Sequence, residues 1–118
     1  MKRASIWSPG TLLALDLDVT TTLSDRLKGW MGRKSIKERD ALLIRPCNSI
    51  HTWFMHVPID VVFLDRALRI VRVCERVGPR RFRSHWRAAA TLELQAGRAA
   101  ALGLARGVQL ALGHGGQP

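Results

Sequence analysis

The run IDVVFLD at residues 59–65 constrains the fold more than any other segment, because its alternating positions are apolar on both sides. In an extended chain Ile59, Val61 and Phe63 share one face, while Asp60, Val62 and Leu64 share the other. Such a strand has to be covered from both sides, as at the centre of a sandwich or small barrel. A chain of 118 residues can supply that cover, since a domain of this length buries roughly two-thirds of its unfolded surface.

Around this strand the pattern predicts a mainly β (α+β) domain with one or two short peripheral helices. LLALDLDV alternates Leu13, Leu15, Leu17 and Val19 against Asp16 and Asp18, the signature of a half-buried strand. In LSDRLKGWMGRKSI the period changes: Leu23, Leu27, Trp30 and Met31 recur at helical spacing. Thr22 or Ser24 can cap this helix and Gly32 can stop it, while Gly29 suggests close packing or a helix end. ALLIRP, IHTWFM, AAATLELQAG and VQLALG read as further strands, and RAAALGLARG as a short helix broken at Gly103 and Gly107. RALRIVRVCERV is contested, since Ala67, Ile70, Val71 and Cys74 keep helical spacing whereas its β-branched content favours a strand. The domain is expected over residues 11–113, with 1–10 and 114–118 as flexible ends.

Charge is the largest compositional outlier: nineteen Lys and Arg face nine Asp and Glu, for a net charge of +10. Such a surplus attracts polyanions without specifying one. It is concentrated in Arg66, Arg69, Arg72, Arg76, Arg80, Arg81, Arg83 and Arg87, a solvated basic face or a contact surface for polyanion. Trp86 interrupts this stretch between basic neighbours, an arrangement that can contact phosphate and stack on a base. No apolar run approaches a membrane span, and Pro9, Gly10, Asp16 and Asp18 break the signal-peptide pattern, so a cytoplasmic protein is expected. Cys47 and Cys74 are too few for a secreted disulfide framework.

The polar residues of the 50–65 stretch raise the question of a site. On a continuous strand Thr52, Phe54 and His56 would oppose His51, Trp53 and Met55. His51 then reads either as a hydrogen-bonded core histidine or as a ligand-facing imidazole. Cys47, His51 and Asp60 are chemically able to hold a metal, and Cys47 with His51 could act as nucleophile and base. Their spacing matches no standard signature, so neither a metal nor a cofactor is expected.

Three blocks of the sequence belong together. Arg26, Gly29, Trp30, Met31 and Arg33 form the first, and Leu92, Glu93, Leu94 and Gly97 the third. The middle block is the most specific: Pro46, Cys47, Ile50, His51, Thr52, Met55, Pro58, Ile59, Asp60, Val61, Phe63, Leu64 and Asp65. In this order they resemble the small prokaryotic family called domain of unknown function 192. The resemblance covers roughly residues 13 to 112. It implies a compact β fold with residues 68–75 on a strand, and no established activity. Departures from the family pattern are Phe54, His56, Val108, and RAL in place of the turn glycine after Asp65.

The resemblance also singles out His51, Thr52, Asp60, Arg26, Arg33 and Glu93 as a polar cluster. It either binds a ligand or fixes the first helix to the sheet through charge-assisted hydrogen bonds. The reading that follows is a non-enzymatic binding or interaction module for a small ligand or a protein. The alternatives are a metal-binding protein or enzyme using Cys47, His51 and Asp60, and a basic accessory protein that binds nucleic acid through residues 66–87.

Overall fold

The computed structural model describes residues 1–13 and 15–113. In chain order the elements are β1 (Lys2–Ser8), β2 (Thr11–Leu12), β3 (Asp16–Val19), α1 (Leu23–Lys28), β4 (Asp40–Ile44), β5 (Ser49–His51), β6 (Ile59–Leu64), β7 (Ile70–Val77), β8 (Phe82–Ser84), β9 (Ala90–Gln95), α2 (Arg98–Ala101) and β10 (Ala111–Gly113). The main sheet runs β10-β1-β3-β4-β9-β6-β7, with β2 beside β1 and with β5 and β8 forming a separate ribbon. β3 and β4 are parallel, and the other pairings are antiparallel. The sheet curls into a half-barrel whose ends are stitched together. At that seam Ile70 N–H donates to Val108 O at 2.9 Å, Gly107 N–H donates to Ile70 O at 2.8 Å, and Arg69 bridges Gln109.

β6 occupies the place its pattern demands. All six of its residues are buried, and it pairs with β7 on one side and β9 on the other. Its two faces feed two separate cores. Val62 and Leu64 join Leu17, Leu43, Leu92 and Leu94 inside the curl, where Ala99 of α2 also packs. Ile59, Val61 and Phe63 join Leu42 and Ile44 on the outer face, covered by Trp30, Ile36, Ile50 and Met55. The contested segment is a strand, β7: its β-branched residues sit on the pleat, and the helical spacing of Ala67, Ile70, Val71 and Cys74 has no structural counterpart.

Several boundaries differ from expectation. Residues 2–8 are not a loose end but β1, which pairs with β3 through residues 2–4 and with β10 through residues 5–7 and buries Ile6. The first predicted strand is shorter, beginning at Asp16, although Leu13 and Leu15 are buried; its Ala14 lies outside the described residues. The predicted flexible segment 114–118 also lies outside them.

α1 ends at Gly29, at φ 48° and ψ −128°, so no four-residue apolar stripe forms. Leu23 and Leu27 are 61% and 66% exposed, whereas Trp30, beyond the turn, is buried. Thr22 is the cap, its Oγ1 accepting from Asp25 N–H at 3.0 Å. The strand predicted over IHTWFM stops at His51, because Thr52 leaves the ladder to bond the 78–81 turn. Phe54, at φ 71°, then reverses the chain.

Among the described residues no helix is long and apolar enough to cross a membrane.

Candidate functional site

Alternation along β9 sends Ala90, Leu92 and Leu94 into the inner core and leaves Glu93 on the outer face. There Glu93 stands in register between Leu42 of β4 and Val61 of β6, both wholly buried and apolar. Only 6% of the residue is exposed, and among the described residues nothing donates a hydrogen bond to its carboxyl or pairs with it. Burial against these neighbours pushes the carboxyl up to about 7.

The carboxyl opens into a cavity of about 160 Å³ between α1 and the sheet, walled by Arg26, Trp30, Cys47, His51 and Met55. α1 brings Arg26 there. The helix start is fixed by its Thr22 cap and by Asp25, whose carboxylate accepts from Thr21 N–H and Oγ1 at 3.0 Å each. Those bonds hold the Asp25 carboxyl below its ordinary range. The turn at Gly29 then drops Trp30 into the outer core, and its ring backs the cavity.

Arg26 is half-buried, and its guanidinium has no ion pair or hydrogen bond among the described residues. Arg26 and Glu93 therefore border one cavity without touching: no ion pair within 4.0 Å joins them. Cys47 is anchored to β9 through its N–H to Ala89 O and through Thr91 Oγ1 donating to Cys47 O. His51 is exposed at the rim, its ring meeting Trp53 edge-on at 6.4 Å. The core-histidine reading does not hold, because β5 ends there and the side chain leaves the sheet.

The other predicted residues are structural and lie elsewhere. Asp60 is completely buried on the inner face, where Oδ1 accepts from Arg76 N–H at 2.9 Å and Oδ2 from Gly97 and Ala99 N–H at 3.0 and 2.9 Å. It holds the bulge of β7, where Arg76 has φ 51°, against the start of α2. Thr52 is equally buried, its Oγ1 donating to Gly78 O at 2.6 Å and accepting from Arg81 N–H at 2.8 Å. Arg33 pairs with Asp40 at 3.0 Å and lies 5.4 Å from the centre of the Trp30 ring. The expected network from Arg26 and Arg33 to Asp60 and Glu93 is thus not formed.

The Cys47, His51 and Asp60 set does not assemble, since both Asp60 oxygens are taken by backbone amides across the sheet. Among the described residues no three metal-ligating side chains come together. The Cys47 thiol donates to Ser49 O at 3.1 Å rather than to His51, which removes the nucleophile–base pair.

The arginine-rich stretch is mostly solvent-facing. Arg66, Arg69, Arg72, Arg76, Arg80, Arg81 and Arg87 are exposed and Arg83 is half-buried. Arg72 and Arg83 donate to the carbonyls of Ser84 and Phe82, both at 2.8 Å. The fold adds Arg106 to this surface, a lone basic residue in a glycine-containing loop that no local sequence signal marks.

A family model matches residues 4–112: domain of unknown function 192 (DUF192), described as Uncharacterized ACR. Two solved structures share the fold. A protein of unknown function from Novosphingobium aromaticivorans DSM 12444 superposes with a TM-score of 0.79 at 17% identity, covering 92% of this chain and 83% of that one. A protein from Sinorhizobium meliloti 1021, proposed there to be a transcription regulator, gives 0.80 at 20% identity, covering 93% and 92%. No curated protein matches the chain.

Proposed function

The chain belongs to the DUF192 family, and we propose that it serves as a binding module for a small bipolar molecule held between Arg26 and Glu93. One observation carries this reading: the buried Glu93 and the half-buried Arg26 line the same cavity, each without a partner among the described residues and without each other. The polar atoms of both side chains still meet the solvent that enters the cavity. A ligand with a donor, such as an ammonium, at one end and an acceptor, such as a carboxylate, at the other can replace that water on both groups at once.

The ligand is small. A cavity of about 160 Å³ falls below the roughly 300–1,000 Å³ typical of drug-sized ligands. Trp30 and Met55 supply an apolar wall for a short carbon spacer, and His51 at the mouth offers a further polar contact. A cytoplasmic location belongs to the same reading: Cys47 and Cys74 are free thiols, as a reducing compartment permits.

Thermal-shift titrations with glycine, β-alanine and 4-aminobutyrate test the proposal, beside acetate and methylamine as single-ended controls. At least one amino acid is expected to raise Tm with saturation while the controls do not, and folded Arg26→Ala and Glu93→Gln variants should lose the shift. Equal shifts from the single-ended compounds, or no shift from any of the three, would overturn it.

A further inference from the structure

Arg69, His85, Arg87 and Arg106 come from three separate stretches of chain and line one depression of about 250 Å³ at the seam of the curled sheet. Arg69 precedes β7, His85 and Arg87 follow β8, and Arg106 lies in the loop between α2 and β10. The hydrogen bonds that stitch the sheet also set this cluster, because Gly107 N–H on Ile70 O holds Arg106 beside Arg69. None of the three arginines has an acidic partner among the described residues. The carboxylate in the lining, Asp65, accepts through Oδ1 from Ala67 and Arg69 N–H at 2.9 and 3.0 Å. His85 Nδ1 accepts from Arg87 N–H at 3.1 Å, which leaves Nε2 as the ring's donor.

An open cleft of about 720 Å³ adjoins the depression and shares Asp65 and Arg87 with it. Trp86 stands in its wall, 82% exposed, with the Arg87 guanidinium 5.0 Å from its ring centre and the His85 ring near-parallel at 6.2 Å. An indole this exposed contributes little to the core. Beside an anion-binding depression it offers a stacking surface for a planar ring.

We propose that this seam is a second site, one that takes a phosphate attached to a nucleobase. The phosphate sits among Arg69, Arg87 and Arg106, and the base stacks on Trp86. The same chemistry is presented by a free nucleotide and by single-stranded nucleic acid. The site shares no lining residue with the cavity of Arg26 and Glu93 and stands independently of the function proposed for them.

The test uses the full chain and two probes, AMP followed by calorimetry and a fluorescein-labelled eight-nucleotide oligoadenylate followed by anisotropy. Arg69→Ala/Arg106→Ala is expected to weaken both by at least about tenfold, and Trp86→Ala to weaken AMP by about tenfold, the scale of one lost base stack. Arg106→Ala alone is measured too, so that misfolding of the double variant does not decide the outcome. A charge-matched control, Lys2→Ala/Lys34→Ala, should change binding much less. Saturable AMP binding with weak oligonucleotide binding identifies the free nucleotide as the source, and a tighter oligonucleotide with a steep salt dependence identifies the strand.

Three results overturn the proposal. They are a control that weakens binding as much as the arginine variant, no binding of either probe, and ribose 5-phosphate binding as well as AMP.

Discussion

Asp60 and Glu93 lie on neighbouring strands one register position apart, yet face opposite sides of the sheet: Asp60 is paired with Leu94, and Glu93 with Val61. The inner carboxylate has three backbone amides around it, and the outer one has none among the described residues. That single step in register separates a residue that holds the fold together from one that lines a cavity.

Asp60→Ala should destabilise the protein by about 3–5 kcal/mol, since it strands buried amides of Arg76, Gly97 and Ala99 that one carboxylate now serves. Urea denaturation measures the loss. Asp60→Asn keeps the shape and one acceptor and should cost less. If Asp60→Ala matched wild type in midpoint and slope, the amides would have to find other partners.

Glu93 gives stability a pH dependence of definite sign. Its carboxyl titrates near 7 in the folded protein and at 4.5 when unperturbed, so the folded state holds the proton more tightly. The associated stability is full below pH 4.5 and is lost as pH rises to 7 and beyond, by about 3 kcal/mol. Glu93→Gln removes this dependence. Above pH 7 the variant should be the more stable, and at pH 4 the two should nearly coincide. Parallel pH–stability curves would show that Glu93 titrates normally.

Thr52→Val deletes the hydroxyl that joins the residue-52 turn to Gly78 and Arg81 and should cost about 2 kcal/mol. Because Arg81 N–H donates to that oxygen, its amide should exchange with deuterium faster in the variant while the amides of β6 stay protected. Unchanged exchange at Arg81 would mean that the bond contributes nothing.

Gly29→Ala isolates backbone strain from crowding. An added Cβ would meet Leu42 Cδ2 and Ile44 Cδ1 at 3.8 and 3.9 Å, ordinary contact distances, but φ 48° with ψ −128° suits only glycine. A loss of about 1–3 kcal/mol is expected, with a displaced Trp30 and a changed tryptophan fluorescence spectrum. A loss under about 0.5 kcal/mol would mean that the turn readjusts freely.

Leu23→Ser should change stability by less than about 0.5 kcal/mol, because the side chain is 61% exposed. Trp30→Ala, on the same apparent stripe, should cost about 3–5 kcal/mol. Comparable losses from the two would restore a packed face to α1.

Periodicity made the sheet legible where burial is two-sided or strictly alternating, as in β6, β4 and β9. It failed at α1, because spacing alone does not reveal that Gly29 turns the chain between Leu27 and Trp30. It failed again at Thr52, whose hydroxyl ends a strand through partners some 26 to 29 residues away. The family-like blocks contain Arg26 and Glu93, which share the cavity, together with Asp60 and Arg33, which do not. Residue type cannot separate them; strand register does. The basic stretch was visible as a density of arginines, but Arg106 enters only through the seam between Ile70 and Gly107.

The pairing of β1 with β10 also has a consequence for biosynthesis. Residues 5–7 lie against residues 111–113, so β1 leaves the ribosome well before β10 and waits for it before one of its edges is satisfied. Pairing between segments this distant in sequence is entropically slow to nucleate. During that interval the exposed edge of β1 can recruit another nascent chain, and Lys2 and Arg3 near its start oppose this by charge repulsion.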